Sequence, residues 1–513
     1  MRTILIITIV SATLVSQQQY KKLHRDALRQ VVNGKPDKVV TAMRKRIGKK
    51  PDDPEDWFML AIAECKLGQA DDAERSAKQA LKLGMPEARF ALALHDWLRP
   101  IHARFPKLTA EVRLAMGPMV GAVGPNDARV WVRTTDATTV VLDLDGKVAA
   151  SASTSAEADF TAVLHATGLE PDRRYSARVW MEGERRKPSV ASTFSFRTAP
   201  AVGTPRTFTL AFGGGAGFTP QFEHMWDSVG ATQPDLLLLM GDNVYIDHPK
   251  HPDVQRFCYH RRQASGPYRR LLSHVPTFSI WDDHDFGTND CQGGPDVDAP
   301  AWKRPVWNVF KQNWANPSYG GGAARPGCWY RFTWGSVDFF MLDGRTYRTK
   351  PRKDGVGTML GPHQKAWLKQ ELLASKSPFK VLCSPVPWAA GTKGGSKDTW
   401  DGYPLERAEI YGFLADKGIS GVVQISADRH RSDAWLNTRE KGYPIYEFNS
   451  SRLTNIHTHP TMKNALFSYN KTPSFGLVRF EPGGDAPRVT YEVVTINGDH
   501  VHRLDVPLSK LRD

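Results

Sequence analysis

Six short, largely apolar runs recur between residues 208 and 425, and they constrain the fold more than any other feature of the sequence. Each run is bounded by turn-forming or polar residues, which is typical of strands buried on both faces of a sheet. Helical stretches separate most of the runs, and strands that alternate with helices predict an α/β domain. The runs cover residues 208–212, 236–240, 277–281, 337–342, 381–383 and 422–425.

Asp242 and Tyr245 follow the second of these runs, in the sequence GDNVY at residues 241–245. Gly241 lets the chain turn sharply, so both side chains emerge at the carboxyl end of the strand, where open α/β sheets bind ligands. A carboxylate and a phenol three residues apart can converge on one hard cation. Taken alone, however, the segment favours an Asp that caps the next helix.

Two other runs end in a similar way, with WDDHD at residues 281–285 and ADRH at residues 427–430. Three such turns would place their carboxylates and imidazoles along one sheet edge. That arrangement suits two metal ions that clamp the attacking and leaving oxygens and convert a bound water to hydroxide. A carboxylate would bridge the ions, and a histidine that binds no metal would protonate or stabilise the leaving alkoxide.

These motifs resemble those of the PhoD-like alkaline phosphatases and phosphodiesterases, members of the calcineurin-like metallophosphoesterase superfamily. Their order and spacing match over residues 115–510. The resemblance implies a two-sheet α/β metallophosphoesterase sandwich flanked by helices, at residues 201–513, which hydrolyses phosphate mono- or diesters with hydroxide bound to a dinuclear metal centre. The motifs are GDNVY (241–245), WDDHDF (281–286), LDGRTYR (342–348), SPVPW (384–388), WDGYP with Arg407 (400–407) and ADRH (427–430).

The resemblance implies a role for individual residues. Asp242 would bridge two metal ions, Tyr245 would bind ferric iron as a phenolate, and His284 would be the acid or transition-state stabiliser. An oxygen-rich ligand set fits Fe³⁺ and Ca²⁺, with other divalent ions as alternatives. The implied metal ligands are Asp242, Tyr245, Asp283, Asp428 and His430. Guanidinium groups match phosphate geometry, so the candidate substrate contacts, each equally typical of a structural salt bridge, are Arg345, Arg407 and Arg429.

Two positions depart from the family pattern. The first strand of the family ends in a Ser-Cys pair whose Cys is an iron ligand, whereas this chain has Gly214 and Gly215. The last family motif is GDxH, and Ala427 replaces its Gly. Because a thiolate ligand is lost, an alternative hypothesis is a degenerate, non-catalytic phosphatase-like domain that binds a protein partner.

The chain before residue 201 is predicted to contain four segments. Residues 1–19 combine Arg2 with an apolar stretch, which predicts a secretory signal peptide, with an uncleaved anchor as the alternative, and hence a secreted or periplasmic protein. Residues 20–98 match the spacing of tetratricopeptide repeats at positions such as Trp57, Gly68 and Pro86, and a TPR-like unit would bind a protein. Residues 99–116 indicate a linker, and residues 117–200 a fibronectin-like β-sandwich.

Charge and cysteine content exclude several other classes. The net charge is +14, and residues 21–50 hold eleven Lys and Arg against two acids. Without a recognised nucleic-acid-binding motif, such a basic helical face is expected to be solvated, so we do not expect nucleic acid as a partner. Five scattered cysteines without a CxxC pattern predict neither a disulfide framework nor a zinc knuckle. Beyond residue 19, no segment is long and apolar enough to cross a membrane.

Overall fold

The computed structural model describes residues 20, 22–92, 97–109, 113–182, 193–394 and 396–513. These residues form a helical unit, a β-sandwich and a two-sheet α/β domain, in that order along the chain. The predicted signal peptide or anchor at residues 1–19 lies outside the described residues. No helix in the described ranges has the length and apolar character needed to cross a membrane. The five cysteines are all free.

The helical unit is built from short helices that pack in succession. Asp53 begins α3 by accepting a hydrogen bond from the backbone N of Glu55, which satisfies one of the unpaired donors at a helix start. Small buried residues on α4, such as Ala73 and Ala77, let it lie close to α3. Classification as tetratricopeptide repeats stays a prediction. The helices are α1 (residues 22–32), α2 (Pro36–Ile47), α3 (Pro54–Lys66), α4 (Ala70–Lys82), α5 (Glu87–Leu92), α6 (Arg99–His102) and α7 (Pro106–Thr109).

The β-sandwich consists of two antiparallel sheets, in the orders β1-β2-β5 and β4-β3-β6-β7. β1 begins at Leu114, and α6 and α7 precede it, so the predicted linker at residues 99–116 is largely structured. Gly117 and Pro118 resemble a strand boundary in the sequence but lie inside β1, where Gly117 has a φ of +84° beside the carbonyl of Trp131. The strands are β1 (Leu114–Val123), β2 (Asp127–Thr134), β3 (Thr139–Leu144), β4 (Lys147–Ser153), β5 (Thr161–Thr167), β6 (Arg174–Met181) and β7 (Thr193–Arg197).

The α/β domain holds the remaining strands in two sheets. The first sheet has the order β10-β9-β8-β18-β19-β20, and the second has the order β11-β12-β13-β14-β16-β15-β17. The strands are β8 (Phe208–Gly213), β9 (Leu236–Met240), β10 (Thr277–Ile280), β11 (Tyr330–Trp334), β12 (Val337–Met341), β13 (Phe379–Cys383), β14 (Val422–Ser426), β15 (Ser432–Asn437), β16 (Ile445–Ser450), β17 (Phe467–Tyr469), β18 (Ser474–Glu481), β19 (Arg488–Thr495) and β20 (His500–Pro507).

Helices and aromatic side chains fill the space around these sheets. Between the sheets, the ring of Phe480 lies 6.0 Å from that of Phe339 and 5.6 Å from that of Phe379, and Phe448 stacks 4.6 Å from Tyr491. Aromatic pairs at such distances add to the hydrophobic stabilisation of a core. The helices are α8 (Met225–Ala231), α9 (Pro252–Gln263), α10 (Gly266–Leu272), α11 (Asp283–Phe286), α12 (Lys303–Asn313), α13 (Gly361–Ala374) and α14 (Pro404–Asp416).

The structure confirms the two-sheet α/β fold. β9 has the predicted bounds and is buried at all of its positions. The chain from residue 476 to residue 506 extends the first sheet because β18 pairs with β8. The expectation that GDNVY, WDDHD and ADRH share one sheet edge is wrong, since β9 and β10 belong to the first sheet and β14 to the second.

Arg133 of β2 forms hydrogen bonds that connect the β-sandwich with the α/β domain. Its fully buried guanidinium donates to Asp159 Oδ2 at 2.8 Å and to Asn313 Oδ1 at 2.9 Å. His260 of α9 contacts the same Asp159 oxygen at 2.9 Å. Burial raises the pKa of Asp159, but Arg133 and His260 outweigh that effect and lower the pKa to about 2. The carboxylate is therefore charged and depends on these partners.

We expect Arg133→Met to destabilise the whole chain, because it leaves the buried Asp159 carboxylate without the guanidinium that pairs with it at 2.8 Å. Breaking a buried ion pair costs about 3–5 kcal/mol, which for a chain of this length corresponds to a melting-temperature decrease on the order of 3–5 °C. Differential scanning calorimetry measures this change. Arg174→Met, at an exposed position of β6, is the matched control and should melt like the wild type. Equal melting temperatures for the two variants would show that the ion pair of Arg133 with Asp159 does not stabilise the chain.

Candidate metal centre

The ends of β9, β10 and β14 meet at the seam between the two sheets. An isolated parallel bridge between Gly214, after β8, and Ser451, after β16, joins the sheets at this point. Tyr245, in the turn that follows β9, lies with its hydroxyl 3.2 Å from Nε2 of His430, which follows β14. The three motifs therefore come together across the seam, although they belong to different sheets.

Asp242, Asp283 and His284 form the core of the site. One potential ligand atom from each lies within 4.8 Å of those of the other two. Among the described residues, neither carboxylate oxygen of Asp242 accepts a hydrogen bond, nor does Oδ1 of Asp283, although all three atoms are buried. Burial and the charges of Asp283 and Asp282 raise the pKa of Asp242 well above its usual range. Buried carboxylate oxygens without donors are a strong indication of a cation site.

Tyr245 and His430 lie next to this core, since the Tyr245 ring stacks on that of His284. Asn455 donates a hydrogen bond of 2.7 Å to the Tyr245 hydroxyl. Burial, followed by the charge of Asp242, raises the pKa of Tyr245 well above its usual range. His457 and His459 place their ring centroids 5.1 and 5.6 Å from that of His430. The sequence analysis did not identify this segment, TNIHTHP at residues 454–460. Its two histidines, two residues apart, were the feature that could have indicated a metal site.

His284 is held by a carboxylate on its far side. Nδ1 of His284 makes a short hydrogen bond to Oδ1 of Asp247, and the imidazole stacks on the Tyr245 ring with the centroids 4.5 Å apart. Burial lowers the pKa of His284, but Asp283, Asp242 and Asp247 outweigh it and raise the pKa to about 10. Bound cations would offset the first two of these charges. Asp247 was not singled out from the sequence.

Several residues of the site have left-handed backbone conformations, which are rare for residues other than glycine. Such strain persists only where neighbouring groups hold the chain in place, and it clusters at functional sites. Asp285 supplies part of this support, because its carboxylate accepts hydrogen bonds from the backbone N of Asn243 and of Val244 at 2.9 and 3.0 Å. The residues with positive φ are Asp242 (56°), Tyr245 (52°), Asp247 (55°), Asp428 (64°) and His430 (48°).

The three arginines differ in their surroundings. Arg345 is fully buried and pairs with Asp282 and Asp398 at 2.5 and 2.6 Å, so the structure favours the salt-bridge alternative over a substrate contact. Arg407 donates to the carbonyl of Trp388 at 2.7 Å, which again indicates a structural role. Arg429 lies 3.4 Å from the carboxylate of Asp428 and thus stays beside the site.

The two departures from the family pattern face each other in space. A Cβ atom added to Gly214 would lie 2.7 Å from Cβ of Ala427. At Gly215, with a φ of +68°, an added Cβ would lie 3.0 Å from the backbone N of Arg452 and from Oγ of Ser451. The methyl group of Ala427 thus takes the space that a side chain at residue 214 would need. Neither glycine position accommodates a larger residue without a shift of its neighbours.

Comparison with known families agrees with this geometry. The family model described as PhoD-like phosphatase matches residues 210–479, which is more than half of the chain. The chain belongs to the PhoD-like phosphatase family. A second model, described as a domain of unknown function (DUF7800), matches residues 111–199, so it covers the β-sandwich of this PhoD-like protein.

Individual relatives support the same family. Alkaline phosphatase D of Bacillus subtilis (strain 168) is 26% identical over 318 residues, which cover 52% of this chain and 53% of that protein. The chain thus spans about half the length of this curated relative. The solved structure of PhoD has a TM-score of 0.62 at 17% identity and covers 75% of this chain and 91% of its own. Purple acid phosphatase PPD1 from yellow lupin seeds has a TM-score of 0.54 at 12% identity, covering 77% and 75%, and these two structures share the fold.

We expect Gly214→Ala to destabilise this PhoD-like protein, and Ala427→Gly to restore its stability in the double variant. Forcing a methyl group into a packed site costs about 1–3 kcal/mol, and removing the opposing methyl group vacates the required space. Thermal melts of the two single variants and the double variant measure the coupling. Additive effects in this double-mutant cycle would contradict the exchange of volume between the two positions.

Proposed function

We propose that this protein is a metal-dependent phosphoesterase that hydrolyses phosphate monoesters or diesters. The observation that carries the proposal is the Asp242 carboxylate, buried beside Asp283 and His284 without a hydrogen-bond donor to either oxygen. Membership of the PhoD-like phosphatase family supports the same activity, as does the curated relative named alkaline phosphatase D.

The donor set fits multiple metal ions, of which we propose Fe³⁺ and Ca²⁺. Hard cations prefer carboxylate and phenolate oxygens, and a cation would convert the mutual repulsion of these buried groups into attraction. The neutral phenol of Tyr245 would lose its proton to become a ligand, which the charge of a ferric ion favours. When bound, the ions activate the attacking water and neutralise phosphate oxygens. The residues that would hold them are Asp242, Tyr245, Asp283, Asp428 and His430.

His284 is proposed to hold the proton that the leaving oxygen receives. Its Nδ1 faces Asp247, so Nε2 is the nitrogen that can face the reacting group. A general acid placed in this way contributes about 10²–10⁴-fold to rate. Arg429, beside Asp428, is the arginine of the three that is placed to contact a substrate phosphate.

A basic cavity next to the site supports an anionic substrate. The cavity has a volume of about 620 Å³, and Asp398 is part of its lining. A carboxylate oxygen of Asp398 lies within 4.8 Å of a carboxylate oxygen of Asp283. Positive charge around a cleft attracts anions and raises their association rate. The basic residues of the lining are Arg348, Lys350, Arg352, Lys353 and Lys397.

We expect the full chain loaded with Fe³⁺ and Ca²⁺ to hydrolyse 4-nitrophenyl phosphate or bis(4-nitrophenyl) phosphate. Asp242→Asn should lose at least about 10³-fold in kcat/KM, because the charge of a carboxylate that would hold the ions is removed. Release of 4-nitrophenolate measures turnover. Asp485→Asn, an exposed carboxylate in the turn between β18 and β19, is the control and should keep wild-type rates. Equal rates for Asp242→Asn and the wild type would contradict the proposal.

Tyr245→Phe gives an independent spectroscopic test of the proposed ferric ion. A phenolate bound to Fe³⁺ absorbs visible light by charge transfer, so the loaded wild type should be coloured and the variant colourless. The absorption spectrum and the iron content measured on the same samples distinguish loss of the ligand from loss of the metal. A visible band that persists in the iron-loaded variant would show that Tyr245 is not the ligand.

A non-catalytic, partner-binding role is the second candidate function, and Gly215 at the position of the family's cysteine ligand favours it. The helical unit, residues 20–98, would then bind the protein partner. In that case the purified chain would bind no metal stoichiometrically, and deletion of the helical unit would abolish capture of the partner. The unpaired oxygens of Asp242 favour the enzyme over this alternative.

A further inference from the structure

The N-terminal helix α1 reaches the imidazole proposed as the general acid. Arg25 of α1 is only 3% exposed, and its Nη1 donates to Oδ2 of Asp247 at 2.5 Å and to the carbonyl of Tyr245 at 2.6 Å. The other oxygen of Asp247 bonds to Nδ1 of His284. A guanidinium, a carboxylate and an imidazole thus form one nearly buried chain that leads from the helical unit to the metal centre.

A second contact from α1 holds the same stretch of backbone. Asp26 accepts a hydrogen bond from Nε2 of His248 at 2.9 Å and also lies 3.3 Å from Nε of Arg25. Arg25 and Asp26, which are adjacent in α1, therefore hold the segment from Tyr245 to His248 by hydrogen bonds at its two ends. This segment contains two of the left-handed residues, Tyr245 and Asp247, so it depends on contacts from outside itself.

The segment from Tyr245 to His248 also forms hydrogen bonds with the backbone of His284. The N–H groups of Ile246 and Asp247 lie 2.8 and 3.3 Å from the carbonyl oxygen of His284. Movement of the segment would therefore displace both the backbone and the ring of this histidine. α1 lies outside both family matches, which cover residues 111–199 and 210–479.

We propose that Arg25 is a positioning residue for His284, so that the N-terminal helical unit is part of the catalytic unit rather than a separate accessory. Arg25 fixes the Asp247 carboxylate and the strained turn, and Asp247 in turn fixes the orientation of the imidazole. The kinetic consequences rest on the proposed phosphoesterase function.

Arg25→Ala should lower kcat and leave KM unchanged, and the loss should depend on the leaving group. Phenolate leaves poorly and needs protonation, whereas 4-nitrophenolate leaves without it. The expected loss of kcat is about 10–100-fold for phenyl phosphate and within about threefold for 4-nitrophenyl phosphate. Equal losses for the two substrates would overturn the proposal, because a general structural defect affects both alike.

Three further variants, all in the full chain, complete the kinetic test. Lys38→Ala removes an exposed cation from the same helical unit and should behave as the wild type. Arg25→Lys keeps the charge and the donors and should regain most of the phenyl phosphate activity. In a double-mutant cycle, Arg25→Ala combined with Asp247→Asn should lose no more than the worse single variant, because both act through His284. Additive losses would show that Arg25 does not act on His284 through Asp247.

A spectroscopic readout decides the proposal without turnover. In metal-free, histidine-selective ¹⁵N-labelled protein, long-range ¹H–¹⁵N spectra report the ring nitrogens of His284, and the Nδ1 shift depends on its hydrogen bond to Asp247. The signal is assigned by its loss in His284→Gln. Arg25→Ala should shift the Nδ1 signal because the Asp247 carboxylate is no longer held in place, and Lys38→Ala should leave it unchanged. An unchanged signal in Arg25→Ala would overturn the positioning role. If the wild type hydrolyses neither substrate but the signal shifts, the proposed function fails and the positioning role stands.

Discussion

Carboxylates buried within a few ångströms of one another at the seam of the two sheets are the constraint on which the rest of the structure depends. Desolvation and mutual repulsion both disfavour such charges, so cations must surround them. Arg345 neutralises part of the charge through Asp282 and Asp398, and Lys393 contacts Asp398 from the other side at 3.3 Å. Among the described residues, neither oxygen of the Asp242 carboxylate accepts a hydrogen bond, and this lack of donors is what makes the seam suitable for metal ions.

The surrounding architecture keeps these charges where they are. Each sheet supplies one side of the seam, and the glycines at residues 214 and 215 let the backbones approach closely. Aromatic rings between the sheets make the two halves one core, so the distance between Tyr245 and His430 is fixed by packing rather than by a flexible loop. Rigid support of this kind is what a site with strained residues requires.

Local patterns made part of this site predictable. An apolar run followed by Gly and Asp identified β9 with its bounds, and Asp242, Asp283 and His284 lie together as the motifs indicated. The seam itself was not predictable, because strand order depends on pairings between distant segments, such as β18 with β8. Arg25 was seen only as part of a basic stretch, since nothing near it in the sequence indicates Asp247, 222 positions away. Contacts between residues so far apart produce no periodicity or motif spacing in the sequence.

The position of β18 beside β8 has a consequence for biosynthesis. A ribosome delivers β8, β9 and β10 long before β18, so the edge of β8 stays unpaired until nearly all of the described chain has been made. Unpaired, apolar strand edges are prone to pair with other chains. The nascent chain therefore carries an aggregation hazard from the synthesis of β8 until that of β18, which removes the hazard by pairing with that edge.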